Sequence, residues 1–379
     1  MRVGLIVYDG LEGRSGGYLY DRKLVQALRQ AGHAVTVLAI PQRRYLPQLG
    51  DNLRSDLLGR VLAAHLDVLL EDELCHPSLV ALNRKLQRSL PLPIVAIVHH
   101  LRSEEPHPNA LKAVYRVVER AYLHTLDGLI CNSRSTLRSV RALGGRSTPA
   151  LISPPAADHL GTAVSQRPIA KRAYDRGPLQ VLFLGNLIPR KGLHILLEAM
   201  ARLPAGAARL TVAGDLQTDP NYVGRIRRRA DRLGLDGSIR FVGPLSPRRV
   251  AAELRRSQVL AVPSSLEGFG IAYLEGMAHG LPALATSVGG GAEIVRDGYN
   301  GYLIRPGEID VLADRLARLA SDRKSLARMG QAARRTYLGH PTWGESTRRS
   351  ILFLSRLAPL AEPIVSRTPP AASFSRRDR

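Results

Sequence analysis

The chain has 379 residues, of which 45% are hydrophobic and 23% are charged, values that are ordinary for a globular protein and leave room for two domains. Lys and Arg outnumber Asp and Glu by 54 to 32, which gives a formal net charge of +22. The arginines are spread along the chain, aromatic content is only 5%, and no helix-turn-helix, zinc-finger or RNA-recognition pattern occurs, so we expect no nucleic-acid partner. An anionic membrane surface ranks first as the reason for the charge, and a diffuse composition bias ranks second.

Cysteine use and the start of the chain bear on location. Cys75 and Cys131 show no metal-binding spacing and lie in or beside apolar runs, which predicts buried free thiols in a reducing compartment. The N-terminus enters a short strand without signal-peptide organisation, and no apolar run approaches the ~20 residues that span a bilayer. These features predict a cytoplasmic protein, with the inner face of the membrane as an additional peripheral site.

In the first half of the chain, short strands alternate with helices. Predicted helices open at Gly16-Gly17 and cover 109–125, and predicted strands cover 2–8, 35–40, 66–70, 94–98 and 127–131. A strand, a glycine turn, a helix and a second strand begin a doubly wound α/β domain. The absence of a GxGxxG pattern gives little support to a nicotinamide cofactor.

The segment 42–64 is basic and amphipathic. Arginines alternate there with apolar side chains, namely Arg43, Arg44, Arg54 and Arg60 with Tyr45, Leu46, Leu53, Leu57, Leu58 and Val61. One interpretation is a surface that lies on acidic lipid headgroups. The other, at least as well supported, is a solvated helix with its apolar side on the core.

The second half repeats the alternation after a stretch without periodicity at 153–177. Predicted helices start near Gly192, Asn221, Pro247 and Phe269, and predicted strands cover 179–184, 210–213, 239–242, 258–262 and 283–286. Further helices are predicted at 310–320, at 324–337 and from Trp343 to about Leu357.

The segment 263–280 is a candidate anion site. Glu267 follows a buried strand, and the amides of Phe269, Gly270 and Ile271 stand at a predicted helix start, where free N–H groups and the helix dipole favour an anion. Glu275 lies on the same helix. Two carboxylates would therefore bracket a phosphate-sized hole. The alternative, which is commoner for two acids at such a spacing, is that Glu267 is a solvated loop acid and Glu275 an ordinary residue on the helix surface.

Two further strand ends carry candidate residues. Arg190 and Lys191 precede a helix after the strand 179–184, where two cations can neutralise a diphosphate without a metal, or simply be solvated. His99 follows the strand 94–98, at the edge where ligands bind in open α/β sheets, with a structural histidine as the equal alternative. His100 is the alternate for His99.

The residues from Glu267 to Glu275, with Met-Ala-His-Gly-Leu-Pro-Ala-Leu-Ala-Thr and Gly289-Gly290-Gly291-Ala-Glu293 after them, closely resemble the donor-site signature of family-4 retaining glycosyltransferases. Glu267 and Glu275 correspond to the two acids of that family's Glu-x7-Glu motif. The resemblance implies two doubly wound Rossmann-like domains facing each other across a cleft, the GT-B fold. We expect an acceptor-side domain at 1–155, a linker at 156–177, a nucleotide-sugar domain at 178–338, a helix returning to the first domain at 339–360 and a disordered tail at 361–379.

The resemblance also implies roles for individual residues. The expected catalytic residues are Glu267, His99 and Lys191. The expected donor-binding residues are Gly16, Gly17, Gly185, Asn186, Arg190, Leu245, Gly268, Phe269, Gly270, Ile271 and Glu275. Asn186 departs from the family, which usually carries an arginine there, so either Arg190 supplies that charge or diphosphate binding is weaker. Neither a metal nor another cofactor is expected, because the nucleotide sugar is a substrate.

The expected activity is transfer of a sugar from a nucleotide-diphosphate donor to a hydroxyl of a lipid-linked or saccharide acceptor, with retention of the anomeric configuration, in glycolipid or polysaccharide synthesis. Two alternatives stay open. One is a GT-B protein that acts as a sugar-donor hydrolase, phosphorylase or epimerase, and the other is a basic membrane- or nucleic-acid-binding protein with an inactive cleft. The sequence does not identify the sugar, the nucleobase or the acceptor.

Overall fold

The computed structural model describes residues 1–53, 56–145, 147–161 and 165–358. The predicted tail at 361–379, the last residues of the predicted segment 339–360 and Arg54 lie outside these ranges. The first sheet contains β1 (Arg2–Tyr8), β2 (Ala34–Ile40), β3 (Val68–Asp72), β4 (Ile94–Val98), β5 (Gly128–Cys131) and β6 (Ala150–Ile152). The second contains β7 (Leu179–Leu184), β8 (Ala208–Ala213), β9 (Ile239–Gly243), β10 (Val259–Val262), β11 (Ala283–Thr286) and β12 (Gly301–Ile304).

Helices connect the strands in both halves. Those of the first half are α1 (Gly16–Gln30), α2 (Tyr45–Leu49), α3 (Asp56–Ala63), α4 (His76–Ser89), α5 (Asn109–Leu123) and α6 (Arg134–Leu143). The remainder are α7 (Gln166–Ala173), α8 (Leu193–Ala201), α9 (Pro220–Arg232), α10 (Pro247–Arg256), α11 (Ile271–Ala278), α12 (Gly291–Ile294), α13 (Ile309–Ser321), α14 (Arg323–Leu338) and α15 (Trp343–Leu357). Among the helices in the described ranges, none is both long enough and apolar enough to cross a membrane.

Both sheets are parallel, and in both the strand order reverses at one point. The orders are β2-β1-β3-β4-β5-β6 and β12-β11-β10-β7-β8-β9. The reversal lies between β1 and β3 in the first sheet and between β7 and β10 in the second. Because ligands in open α/β sheets bind outside the carboxyl ends of the strands at such a reversal, the topology points to the loops after these strands.

The cores follow from this layering. Strands β3, β4, β5, β10 and β11 are buried along their whole length, as expected for parallel strands with helices on both faces. The last helix, α15, packs on α1, and its Trp343 and Leu354 join a first-domain cluster that includes Tyr20 and Leu24. The end of the described chain thus completes the core of the first domain.

Several predicted elements need correction. The strand expected at 66–70 is displaced to Val68–Asp72. The strands β6 and β12, each a short strand at one edge of its sheet, were not predicted. The stretch at 156–177, expected to be a loop, contains α7, whose Ile169 and Ala173 are buried. These two are the buried positions of α7, in an otherwise basic segment, so the period of the helix is hard to see in the sequence.

The segment 42–64 has features of both interpretations, the core-packed helix and the exposed basic, apolar surface. Tyr45 and Val61 are buried, and Leu57 and Leu58 pack against the core. Leu46 and Leu53 are exposed instead, at 63% and 90% of their surface. The segment is therefore a core-packed layer that also presents apolar and basic side chains to solvent.

Candidate active site

A cavity of about 710 Å³ lies between the domains, beside the loops that follow β1, β4, β7 and β10. Every residue predicted for the site lines it: Gly16, Gly17 and His99 from the first domain, and Gly185, Asn186, Arg190, Lys191, Leu245, Glu267, Gly268, Phe269, Gly270, Ile271 and Glu275 from the second. His100, the alternate for His99, lines it too. The structure thus brings the predicted residues to one crevice, while their roles stay predictions.

The loop after β7 carries two cations of this cavity. Its turn, Pro189–Lys191, ends at Gly192, which has a left-handed φ of 73°. A Cβ at Gly192 would lie 2.0 Å from the carbonyl oxygen of Pro263, so glycine permits this loop to pack against the loop after β10. That packing places Lys191 Nζ 2.5 Å from Oε1 of Glu267.

Glu267 is buried and doubly held. Its Oε1 also accepts a hydrogen bond of 2.7 Å from the hydroxyl of Ser264. Burial raises the pKa of Glu267, but the charges of Lys191 and Arg190 outweigh burial and hold that pKa below its ordinary value. Burial also lowers the pKa of Lys191, and the attraction of Glu267 offsets part of that change. The two side chains form a carboxylate–ammonium pair at the cavity wall.

The N-terminus of α11 offers main-chain donors to the same cavity. Gly270, the residue before the helix, has a φ of 93° and no side chain to accept from the first-turn N–H groups. Phe269, Gly270 and Ile271 line the cavity. Uncapped N–H groups together with the helix dipole favour an anion at this end.

The glycines at 289–291 explain how the loop of Glu267 keeps its shape. A Cβ at Gly289 would lie 1.9 Å from the carbonyl oxygen of Glu267, and a Cβ at Gly290 would lie 2.3 Å from that of Gly268. The N–H of Gly290 donates to the Glu267 carbonyl at 2.8 Å. The glycine run is needed because two backbone segments touch here.

His99 faces the cavity from the first domain and is buried. Its carbonyl oxygen accepts a hydrogen bond of 2.9 Å from Asn132 Nδ2. A Cβ at Gly268 would lie 2.1 Å from the same carbonyl oxygen, so the end of β4 approaches the loop after β10 at a glycine. His99 Nε2 lies 3.6 Å from Oδ1 of Asp21 on α1, a residue that the sequence reasoning missed.

His100 begins a network that reaches across the cleft. Its Nε2 lies 2.7 Å from Oε1 of Glu105, whose other oxygen lies 3.2 Å from Nε2 of His107. Glu105 Oε1 is also 3.6 Å from Arg190 Nε, and Arg190 Nη1 donates to the carbonyl oxygen of Leu266 at 2.8 Å. Burial raises the pKa of Glu105, but His100 and Arg190 outweigh burial and lower that pKa to about 2. Arg190 therefore joins the domains, a contact that the sequence did not indicate.

Glu275 has a partner from the interdomain connection. Its Oε1 lies 3.1 Å from Nε2 of His159, which sits in the turn Asp158–Leu160 and lines the cavity. His159 was not predicted because its surroundings carry no periodic signal. This expected donor-binding acid thus lies at the cavity wall with an imidazole beside it.

A second set of bonds joins the domains beside the loop after β10. The carboxylate of Glu293, which lies on α12, accepts from the backbone N–H groups of Arg134 at 3.1 Å and Ser135 at 2.6 Å, in the first turn of α6. The hydroxyl of Ser133 donates to the carbonyl oxygen of Gly268 at 2.9 Å. These contacts hold the two cavity walls together.

Within the described ranges, two groups of buried acids and histidines bring ligand atoms within 4.8 Å of one another, Asp21 with Asp72 and His99, and Glu73 with His76 and Glu119. In the second group both ring nitrogens of His76 already have partners, the carbonyl oxygen of Glu73 at 2.9 Å and the hydroxyl of Tyr45 at 2.9 Å. The first group includes the cavity residue His99.

Comparison with known proteins shows a family match and several similar glycosyltransferases. Residues 166–336 match the sequence profile of the family described as Glycosyl transferases group 1. A D-inositol 3-phosphate glycosyltransferase from Nocardia farcinica is 32% identical over 57% of this chain and 49% of its own length. A lipopolysaccharide core biosynthesis glycosyltransferase from Rhizobium meliloti is 26% identical over 86% of this chain and 92% of its own. The chain spans about half the length of the inositol phosphate relatives that it matches.

Solved structures share the whole fold. A sucrose-phosphate synthase from Thermosynechococcus elongatus superposes with a TM-score of 0.80 at 20% identity, over 94% of this chain and 98% of that one. The Anabaena protein HepE, solved in complex with UDP-glucose, superposes with a TM-score of 0.72 at 22% identity, over 94% of this chain and all of that one. The predicted fold of two doubly wound domains facing across a cleft, GT-B, is confirmed.

Proposed function

We propose that this chain, whose residues 166–336 form a glycosyl transferases group 1 domain, moves a sugar from a nucleotide-diphosphate donor to an acceptor hydroxyl and retains the anomeric configuration. The observation that supports it most directly is the Lys191–Glu267 pair beside the uncapped start of α11. Positive charge, main-chain donors and a carboxylate there share one cavity with a histidine from the other domain. Such a site suits an anionic leaving group attached to a hydroxyl-rich sugar.

The departing diphosphate is the main charge that the site has to stabilise. Lys191, Arg190 and the first-turn amides of α11 supply preorganised positive charge and need no metal for it. A diphosphate at Lys191 competes with Glu267 for the ammonium. Glu267 is then available to accept hydrogen bonds from hydroxyls of the donor sugar while charge develops on the ring.

The remaining contacts divide between the domains. Glu275 accepts from the ribose hydroxyls, and Leu245 and the turn after β9 contact the nucleobase. His99, Gly16 and Gly17 approach the sugar and the acceptor from the first domain, so the reaction needs the two domains closed. Arg190 is already engaged by Glu105 and by the Leu266 carbonyl, which makes it a weaker substitute for an arginine at position 186.

The acceptor is a lipid-linked or saccharide hydroxyl, and the reaction serves glycolipid or polysaccharide synthesis. The names of the similar proteins, an inositol phosphate glycosyltransferase and a lipopolysaccharide core glycosyltransferase, support this class. An anionic membrane surface is the further partner, supported by the net charge of +22 and by Leu46 and Leu53, which are exposed in a segment that also carries Arg44. This partner would place the protein peripherally at the inner face of the membrane.

The test is an activity screen with UDP-sugars and GDP-sugars against saccharide and lipid-linked acceptors. We expect release of the nucleoside diphosphate to require an acceptor, and NMR of the early product to show the anomeric configuration of the donor. Glu267→Gln is the control and should lose activity. Free sugar formed without an acceptor would favour the hydrolase alternative, and an inverted product would exclude the retaining mechanism.

A further inference from the structure

Asp21 is a buried carboxylate whose oxygens have no hydrogen-bond partner among the residues that the structure describes. It lies on α1, one turn after Gly17, with 0% of its surface exposed. Because an unpaired charge is costly to bury, a carboxylate at this place is stabilised by a cationic group that faces it. His99 Nε2 is also buried without a hydrogen-bond partner in the described part of the chain, and it lies 3.6 Å from Asp21 Oδ1. The two unpartnered groups face each other.

The ring of His99 is held in one orientation. A Cβ at Gly17 would lie 3.0 Å from Cδ2 and 3.2 Å from Nε2 of His99, so the ring packs directly on the backbone of α1. The ring of Tyr20 meets it edge-on, with centroids 5.5 Å apart. The Nε2 edge therefore points to α1 and Asp21, and the part of the ring that reaches the cavity is its remaining, 10% exposed surface.

The charges around His99 favour its protonated form. The titratable groups that face it or line the same cavity are Tyr20 and Asp21 on α1, Asp72 and Glu73 at the end of β3, its neighbour His100, and Arg14, Arg22, His159, Arg190, Lys191, Glu267 and Glu275 at the cavity. Burial lowers the pKa of His99, but Asp21, followed by Asp72 and Glu73, outweighs burial and raises that pKa to about 9. Asp21 and Asp72 each bring a carboxylate oxygen within 4.8 Å of a ring nitrogen of His99, so their charges act directly on the ring.

We propose that Asp21 is a positioning residue that orients His99 and keeps its imidazole protonated, so that His99 acts on the substrate as a hydrogen-bond donor and not as a base. This inference rests on the proposed function and deepens it. A donating imidazolium can hold a hydroxyl of the donor sugar or an oxygen of the departing diphosphate, and it adds positive charge where the leaving group forms.

The first experiment compares pH profiles of kcat/KM. Asp21→Asn keeps the size of the side chain and removes its charge, so His99 loses its counter-ion. At an ordinary pKa of about 6.5, about 3% of the imidazole is protonated at about pH 8, which predicts about a 30-fold loss at that pH and less than about twofold at pH 6. Rescue by acid is the signature of the role, since a merely structural residue would give the same loss at every pH. A loss that does not depend on pH overturns the proposal.

Glu71→Gln is the matched control. Glu71 is another buried carboxyl, but it accepts a hydrogen bond of 3.1 Å from Asn83 Nδ2. It is not among the groups that most strongly shift the pKa of His99. We expect the pH profile of this variant to keep the wild-type shape. An acid rescue as large as that of Asp21→Asn would show that the effect is not specific to Asp21 and would overturn the proposal.

A second measurement does not depend on any variant at Asp21 folding well. NMR of the wild-type chain with ¹³C-labelled histidine follows each imidazole with pH, and His99→Gln identifies the signal of His99. We expect His99 to be protonated at about pH 7.5, above the ordinary histidine pKa of about 6.5. A neutral ring at that pH overturns the proposal. If no donor is turned over while His99 is protonated, the proposed function fails and this inference about the ring stands.

A divalent cation is the competing occupant, because Asp21, Asp72 and His99 place ligand atoms within 4.8 Å of one another. Calorimetric titration of the chelator-treated protein with Mn²⁺ and with Zn²⁺ separates the two accounts. The proposal predicts that neither Mn²⁺ nor Zn²⁺ binds at a site that depends on Asp21, so the titrations of the wild type and of Asp21→Asn should look the same. Stoichiometric binding that is lost in Asp21→Asn would overturn it in favour of a metal site.

Discussion

The ammonium of Lys191 lies 2.5 Å from the carboxylate of Glu267, although the two residues follow different strands and are 76 positions apart in the chain. Strands β7 and β10 are neighbours at the reversal of the second sheet, which is why their loops meet. The two side chains assigned to the diphosphate and to the sugar therefore neutralise each other. Donor binding has to exchange this ion pair for contacts with the substrate.

Removing the ammonium should affect both catalysis and stability. Lys191→Met keeps the length of the apolar stem but removes a donor to the leaving group, so we expect kcat to fall by ~10²–10³-fold. The variant also leaves Glu267 as a buried carboxylate with Ser264 as its remaining partner. Breaking a buried ion pair typically costs about 3–5 kcal/mol, so the free energy of unfolding should fall measurably while the fold persists. Steady-state kinetics and chemical denaturation provide the two measurements.

The double variant Lys191→Met/Glu267→Gln serves as the control, since it removes both charges. We expect it to be more stable than Lys191→Met alone, because no unpaired charge stays buried. In the single variant the pKa of Glu267 should rise, so its stability deficit should be largest at high pH and shrink as Glu267 becomes protonated. Additive losses in the double variant would contradict the pairing.

Gly268 is predicted to tolerate no side chain, for a reason that involves both domains. A Cβ there would lie 2.1 Å from the carbonyl oxygen of His99. Gly268→Ala should therefore keep each domain folded but hold the cleft open, which small-angle scattering would detect as a larger radius of gyration together with a large loss of kcat. Gly237→Ala is the matched control, because a Cβ at Gly237 meets nothing within 4 Å. Full activity in Gly268→Ala would rule out this approach of the domains during turnover.

The bonds between Glu293 and α6 should support closure. Glu293→Ala removes an acceptor for the backbone N–H groups of Arg134 and Ser135. A carboxylate at a helix N-terminus contributes about 0.3–1 kcal/mol, so we expect the KM for the donor to rise by about two- to fivefold with little change in the melting temperature. Glu308→Ala is the control, since Glu308 accepts from Arg305 N within its own domain. Equal KM values in the two variants would remove Glu293 from the closure contact.

Glu105 gives a prediction about pH. Its pKa in the folded protein is about 2, below the ordinary value of about 4.3, so its contribution to stability is present above pH 4.3 and is lost as the pH falls toward 2. The melting temperature of Glu105→Gln should therefore be below that of the wild type at about pH 6, and the two should converge as the pH drops. Glu104→Gln, at the exposed neighbour, is the control for removing one acidic charge from this loop, and its melting temperature at about pH 6 should stay close to that of the wild type. A difference that grows on acidification would contradict the assignment.

The fold could be predicted from the sequence where apolar strand runs alternate with segments of clear helical spacing. Strands such as Ile94–Val98 and Leu179–Leu184 have the bounds that their apolar runs predict. The residues after them reach the cavity because the carboxyl ends of parallel strands lie at one edge of the sheet. The placement of Glu267 and Lys191 in one crevice follows from the same rule. Assigning these residues to a site also needed the family resemblance, because the local pattern alone left a solvated loop acid and solvated surface cations as alternatives.

The missed residues have a different origin. Asp21, Glu105 and His159 gain their partners through packing between helices, loops or whole domains, and no spacing along the chain encodes such contacts. Asp21 could not be predicted as a buried residue of α1, because a single acid in an amphipathic helix normally faces water. Glu105 follows His100 by five residues, and this acid near a histidine pair was the one local signal available.

Binding of a nucleoside diphosphate tests the central claim most directly. Calorimetric titration of UDP and of GDP into the wild type should show saturable one-to-one binding of one of them, with the affinity reduced by at least about tenfold in Lys191→Met, equivalent to about 1.4 kcal/mol. No binding of either nucleotide by the wild type, or equal affinity in the wild type and in Lys191→Met, would contradict the account.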